Sequence, residues 1–208
     1  MQPTCRIQFT NCMSRLFLVL TFFCGINSVA LGQDVRKSVV EVMVSSSEVD
    51  HLYPWRLAHS SSGHGSGVII DGQRILTAAH VIDNALMVEV RRVGSDKKVP
   101  ATVSYQSDER DLAILTVAEA DFFTGSEPMP IGPMPNLGEE ITLWGFPVGG
   151  EQLAITKGIV SRIDFDEYVH SFHSNLVVQV DAAMNGGASG GAAIANGKLA
   201  GINFQGIG

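Results

Sequence analysis

Gly67-Val68-Ile69-Ile70-Asp71-Gly72-Gln73-Arg74-Ile75-Leu76-Thr77-Ala78-Ala79-His80 carries two short runs with apolar centres, Gly67–Ile70 and Arg74–Thr77, on either side of Asp71-Gly72-Gln73. Short β-branched runs joined by a Gly-containing turn predict a β-hairpin. The same pattern recurs in both directions. Strands are expected at Ser38–Val44, Met87–Arg91, Val99–Tyr105, Leu112–Val117, Glu140–Trp144, Leu153–Ile163, Leu176–Val180, Ala192–Ala195 and Lys198–Phe204. Asn196-Gly197 supplies a second tight turn between the last two. No stretch holds a helical period; Ala78–Asn84 has room for a single short turn. Many short strands at regular spacing imply an all-β barrel or sandwich. Pro128, Pro130, Pro133 and Pro135 exclude a central strand and mark a linker over about 126–138. Lobes are expected at about 36–125 and 139–208. Ser45–Gly63 reads as a polar segment and Asp164–Glu167 as an acidic turn.

The first 32 residues read differently. Arg6 and Arg15 are the only charges before Asp34, an apolar stretch runs from Leu16 to Phe23, and Ala30-Leu31-Gly32 precedes Gln33. A positive start, a short apolar middle and small residues before the cut predict a signal peptide removed near Gly32–Gln33. The apolar stretch falls short of the roughly 20 residues a spanning helix needs. The protein is therefore expected to be secreted or periplasmic, with no membrane contact beyond this segment. Cys5, Cys12 and Cys24, all the cysteines of the chain, leave with it. The remainder would be stabilised by core burial without disulfides, and no Cys/His zinc framework can form. No metal or other cofactor is expected. The whole chain carries a net charge of −7. Loss of the two arginines makes it still more acidic, which argues against nucleic acid as a partner.

Gly186-Gly187-Ala188-Ser189-Gly190-Gly191 surrounds one serine with four glycines between apolar strands. A tight loop of this kind turns successive backbone N–H groups towards one point, where they hold a developing oxyanion. A serine needs a base to become a nucleophile. His80, at the end of an apolar strand and after two small residues, is the candidate, although a single histidine in a turn is ordinarily structural. Asp111, which opens the apolar Asp111-Leu112-Ala113-Ile114-Leu115, is the candidate carboxylate to orient it. A solvated charge or an ion pair with Arg110 is the plainer alternative for Asp111.

Taken together, these stretches resemble the HtrA/Deg (protease Do-like) branch of the chymotrypsin-fold, trypsin-like serine proteases. Gly65–Ile70, Ile75–Ile82, Asp111–Leu115, Trp144–Gly150, Thr156–Ile163 and Val180–Asn185 fall in the family's order, with the serine loop last. The order His, Asp, Ser is that of this fold. The resemblance implies two antiparallel six-stranded-type β-barrels. It also implies an ATP-independent endopeptidase acting on unfolded or damaged proteins. His80, Asp111 and Ser189 would be its triad, and the N–H groups of Gly187 and Ser189 its oxyanion hole. Ala183 would stand where trypsin-like pockets are acidic. With Met184 and Ile202 it implies a small or medium aliphatic residue before the scissile bond. In relatives, aromatic residues near the amino terminus help form trimers, so Tyr53-Pro54-Trp55 points to a homotrimer or to a plain surface clip.

Three departures matter. Ala188 stands where the branch usually has Asn, which removes a brace from the oxyanion loop. Gly186-Gly187 adds backbone freedom. The sequence ends at Gly208, so the expectation is a second barrel cut short, with no PDZ domain following. A rival expectation is a catalytically impaired pseudo-protease that holds polypeptides; another acyl hydrolase on the same triad is a third. His51, His59, His64, His170 and His173 are expected to be solvated loop residues.

Overall fold

The computed structural model describes residues 34–47, 52, 53, 55, 60–148, 152–168 and 173–206. The expected signal segment, His51, Pro54, His59 and His170 lie outside them. Eleven strands are described: β1 (Val39–Ser47), β2 (Ser60–Ile70), β3 (Arg74–Thr77), β4 (Ala85–Arg92), β5 (Lys98–Ser107), β6 (Leu112–Val117), β7 (Glu140–Gly145), β8 (Ala154–Glu167), β9 (Ser174–Val180), β10 (Ala192–Ala195) and β11 (Lys198–Ile202). Short 3-10 turns occupy Val35–Lys37, Ala79–Val81 and Ala120–Phe123. No α-helix occurs among the described residues, and no helix there is long and apolar enough to cross a membrane.

β1 to β6 close into a barrel of order β1-β2-β3-β6-β5-β4. β7 to β11 form a five-stranded sheet of order β11-β10-β7-β8-β9. This is the expected all-β double-lobed architecture, with the second lobe an open sheet. Both turns of the sequence reading are present. Ile70 pairs with Arg74 across Asp71-Gly72-Gln73. Asn196 and Gly197 both adopt positive φ, 50° and 70°, as a two-residue turn matched to strand twist requires.

Strand β1 explains how the two lobes are held. Val39 to Val44 are all buried, the mark of a strand covered on both faces. Val40, Val42 and Val44 point into the barrel with Ile69, Ile75, Val90 and Leu115. Val39 points the other way, into a seam with Val68, Ile70, Met129, Phe146, Ile194 and Leu199. Each such side chain is worth about 1.5–3 kcal/mol when fully buried, so the seam fixes one lobe against the other. The Pro-rich connection runs along it. Met129 donates its N–H to the Ile69 carbonyl, and Gly132 to that of Leu199.

The structure corrects the sequence reading in two places. The polar Ser45–Gly63 segment is partly strand, because β1 continues to Ser47 and pairs with β2 from Ser60. Main-chain bonds propagate a ladder whatever the side chains, and serines tolerate it. His64 accordingly sits on β2, opposite Met43, with its Nδ1 3.4 Å from Glu41 Oε1. Asp164–Glu167 is likewise the end of β8, paired with Ser174–Val177 of β9. Its acidic side chains stay solvated, with Arg162 3.6 Å from Asp164 and 3.7 Å from Asp166.

Candidate active site

His80 lies in the 3-10 turn that follows β3, and Asp111 immediately precedes β6, the neighbour of β3 in the barrel. Strand pairing therefore brings two residues 31 positions apart to one rim. His80 Nδ1 lies 2.7 Å from Asp111 Oδ2, and the His80 backbone N–H donates to Asp111 Oδ1 at 2.8 Å. Asp111 is 5% exposed and has φ 51°, a left-handed conformation that Asp and Asn tolerate better than other side chains. A third donor is Tyr168, whose hydroxyl reaches Asp111 Oδ2 at 2.6 Å. Burial pushes the Asp111 carboxyl up. The hydrogen bonds from the His80 ring, the Tyr168 hydroxyl and the His80 backbone outweigh it, so Asp111 titrates below its ordinary value. An ionised carboxylate on Nδ1 keeps the proton on that nitrogen and leaves Nε2 as a lone-pair acceptor.

Ser189 lies in the loop between β9 and β10 and is half-buried. Its carbonyl accepts the Ser66 N–H at 2.8 Å, which ties the loop to β2. Gly190 has φ 80°, and a Cβ there would lie 2.2 Å from the Ser66 carbonyl and 2.3 Å from Thr77 Oγ1. Only glycine lets the loop approach the end of β3 this closely. Ala78, whose backbone nitrogen is the next neighbour of that position, opens the turn that carries His80. Gly65 stands between the two segments, facing Val81 on one side and the Ser189 carbonyl on the other. The serine loop and the histidine turn are thus packed on the same strands. The Ser189 hydroxyl itself makes no hydrogen bond to a described residue. Such bonds are often long before substrate arrives.

The loop's own amides divide into two sets. Those of Ala188, Gly190 and Gly191 donate to Asn185, Asn203 and Ala188 carbonyls. Those of Gly187 and Ser189 donate to no described residue. The Gly186 carbonyl accepts from Val148 N–H at 2.7 Å, so the Gly187 N–H of the same trans peptide points the opposite way. The amides on either side of Ala188 are thus two in the loop that no described carbonyl takes up.

The brace that Ala188 does not provide comes from Ser66. Its fully buried hydroxyl donates to the Gly187 carbonyl at 2.9 Å and accepts from Phe146 N–H at 2.8 Å. Ser66→Ala would leave a buried carbonyl and a buried N–H without partners. It is expected to lower the free energy of unfolding by about 2–4 kcal/mol, read as a lower urea midpoint at unchanged slope. The local mark of Ser66 is its place between Gly65 and Gly67, where the polar part of β2 gives way to the apolar Val68-Ile69-Ile70; nothing local marks Tyr168.

The residues expected to line the specificity pocket divide between two cavities. Ala183 and Met184, with Asn185 and Ala188 of the serine loop, line one of only about 30 Å³. Ile202, with Met184 again, lines a larger one of about 250 Å³, shared with Asp111 and Tyr168 and with Val178, Val180 and Ala200 of the second sheet. Ile202 stays next to the serine loop through the backbone: it pairs with Ala192, and the following Asn203 exchanges main-chain bonds with Gly190 and Gly191. Among the described residues no group of three or more His, Cys, Asp or Glu could hold a metal ion.

Comparison with known proteins gives matches along most of the chain. The trypsin-like peptidase domain matches residues 65–202. The mitochondrial Protease Do-like 4 of Arabidopsis thaliana is 41% identical over 168 residues, covering 81% of this chain and 32% of that protein. A serine protease DegP homolog of Plasmodium falciparum is 40% identical over 169 residues, covering 81% of this chain and 19% of that protein. The chain thus spans about a third, or less, of the length of these relatives. In fold it resembles the active form of the Rv3671c protease from M. tuberculosis (TM-score 0.68, 23% identity, 82% of this chain and 70% of that one). It also resembles the HtrA-type protease AlgW with a decapeptide (TM-score 0.67, 23% identity, 84% of this chain and 57% of that one).

Proposed function

The chain belongs to the trypsin-like peptidase family, in its HtrA/Deg (protease Do-like) branch, and on that footing we propose that it is a serine endopeptidase cutting unfolded polypeptides. The observation that carries this is the orientation of His80 by Asp111, with the Ser189 loop packed on the same strands. Ser189 Oγ attacks the scissile carbonyl carbon while His80 Nε2 takes its proton. Asp111 stabilises the resulting imidazolium. The carbonyl oxygen, now an oxyanion, moves between the N–H groups of Gly187 and Ser189. The tetrahedral species collapses, His80 returns the proton to the leaving amine, and an acyl ester remains on Ser189. Water, deprotonated by His80, attacks that ester and releases the carboxylate product with Ser189 reprotonated.

The small cavity beside the serine loop supports a small or medium aliphatic residue before the cut bond. Ala183 offers no counter-charge to Lys or Arg. An apolar pocket discriminates a methylene by about 1–3 kcal/mol, which suits a protein that reads exposed chain rather than a fixed sequence. The amino-terminal segment supports processing near Gly32 and work outside the cytosol. The exposed ring pair of Tyr53 and Trp55, centroids 5.8 Å apart, is consistent with the trimer interface of relatives.

The test is digestion of reduced, unfolded casein against a stably folded control, with cut sites mapped by mass spectrometry. Cuts in casein alone, after Ala, Val, Ile or Leu and about tenfold less often after Lys or Arg, are expected. Absence of cleavage by a folded preparation would reject the proposal in favour of a polypeptide-holding pseudo-protease.

A further inference from the structure

Tyr168, just past the end of β8, is contributed by the second sheet, whereas His80 and Asp111 both belong to the barrel. It is 4% exposed. Its ring packs edge-on against Phe204, with centroids 5.5 Å apart and planes at 75°. Its backbone N–H donates to the His173 carbonyl at 2.9 Å, which closes the β8–β9 connection behind it. The hydroxyl sits 2.6 Å from Asp111 Oδ2 and 3.1 Å from His80 Nδ1. Burial, and then the Asp111 carboxylate, raise the phenol far above its ordinary range, so it keeps its proton and donates it to Asp111. The carboxylate therefore receives three donors: the His80 backbone at Oδ1, and the His80 ring and Tyr168 at Oδ2.

We propose that Tyr168 is a positioning residue of the His80–Asp111 pair, one that ties the basicity of His80 to the seating of the β8–β9 hairpin on the barrel. Two consequences follow from the geometry. A third donor fixes the carboxylate plane, and with it the ring of His80. It also withdraws charge from Oδ2, so the imidazolium is held less strongly than a two-donor carboxylate would hold it. Among the described residues that line the cavity beside Asp111 and Tyr168, the other charged group is Arg110, which the variant below leaves in place.

This role rests on the peptidase proposal, so its test includes a readout that does not need turnover. Tyr168→Phe keeps the ring on Phe204 and removes the hydroxyl alone. Titration of the His80 ring by NMR in the full chain is expected to move upward by about half a pH unit. In turnover of a chromogenic peptide, the acid limb of kcat/KM is expected to move up with it. kcat should fall about tenfold at unchanged KM, with fluorophosphonate still fully incorporated at Ser189. An unmoved His80 titration, or a kcat loss matched by an equal loss of thermal stability, overturns the role and makes Tyr168 a packing residue. Failure of the wild type to turn over substrate would overturn the peptidase proposal separately, while the NMR shift would still decide whether Tyr168 sets the state of His80.

Discussion

His80→Ala is expected to slow polypeptide hydrolysis by about 10⁵–10⁶-fold, with KM little changed. Serine at neutral pH is almost wholly protonated, and the other two titratable groups of the site are poor bases for its proton. The Asp111 carboxylate is committed to three donors, and Tyr168 is itself protonated. Combining His80→Ala with Ser189→Ala should cost no more than either alone, because a nucleophile without its base and a base without its nucleophile are equally idle. The two singles differ in stability. Ser189→Ala removes a half-buried hydroxyl bonded to no described residue, so its unfolding midpoint should stay near the wild type. His80→Ala deprives the buried Asp111 of one donor and should cost about 1–3 kcal/mol. Progress curves and urea titrations on the same preparations check both.

Asp111→Asn is expected to lower kcat by about 10⁴-fold without loss of fold. The backbone does not resist the change, since Asn accepts the left-handed φ of 51° as readily as Asp. The hydrogen-bond inventory does resist it. Oδ1 faces the His80 backbone N–H, and Oδ2 faces both His80 Nδ1 and Tyr168. An amide with its oxygen at the Oδ1 position turns NH₂ towards Nδ1. That forces the ring proton onto Nε2, the nitrogen that must accept from Ser189. The opposite flip sets NH₂ against the backbone donor. Either outcome blocks the base. The variant also loses an acid-sensitive contribution. In the wild type a carboxyl depressed below its ordinary value of 3.8 stabilises the fold above that value, and the contribution fades as pH falls through the lower native value. The difference in unfolding free energy between wild type and variant should therefore shrink below about pH 4.

The sequence made different parts of this molecule legible for different physical reasons. Strands were readable wherever alternation or continuous burial left an apolar mark, as at Val39–Val44 and Gly67–Ile70. Turns were readable where backbone geometry demanded particular residues, as at Asn196-Gly197. Strand lengths were not readable in polar stretches. Ser60–Gly63 and Asp164–Glu167 pair through main-chain groups that every residue possesses. The pairing of His80 with Asp111 could be anticipated from residue type and order. Its cause, adjacency of β3 and β6, belongs to barrel topology rather than to any local pattern. Tyr168 was invisible because its significance is a contact across 57 positions, between lobes, and nothing in Asp166-Glu167-Tyr168 differs from a solvated strand end. Ala188 drew attention as a missing brace, whereas the brace itself, Ser66, lies 121 positions from the carbonyl it holds.

Covalent capture with a fluorophosphonate, followed by peptide mapping, tests most directly whether the Ser189 hydroxyl is activated by His80. A single adduct on Ser189 is expected in the folded wild type, forming several orders of magnitude more slowly in His80→Ala. A folded wild-type protein that takes up no label, or takes it up equally fast without the imidazole, would contradict the account.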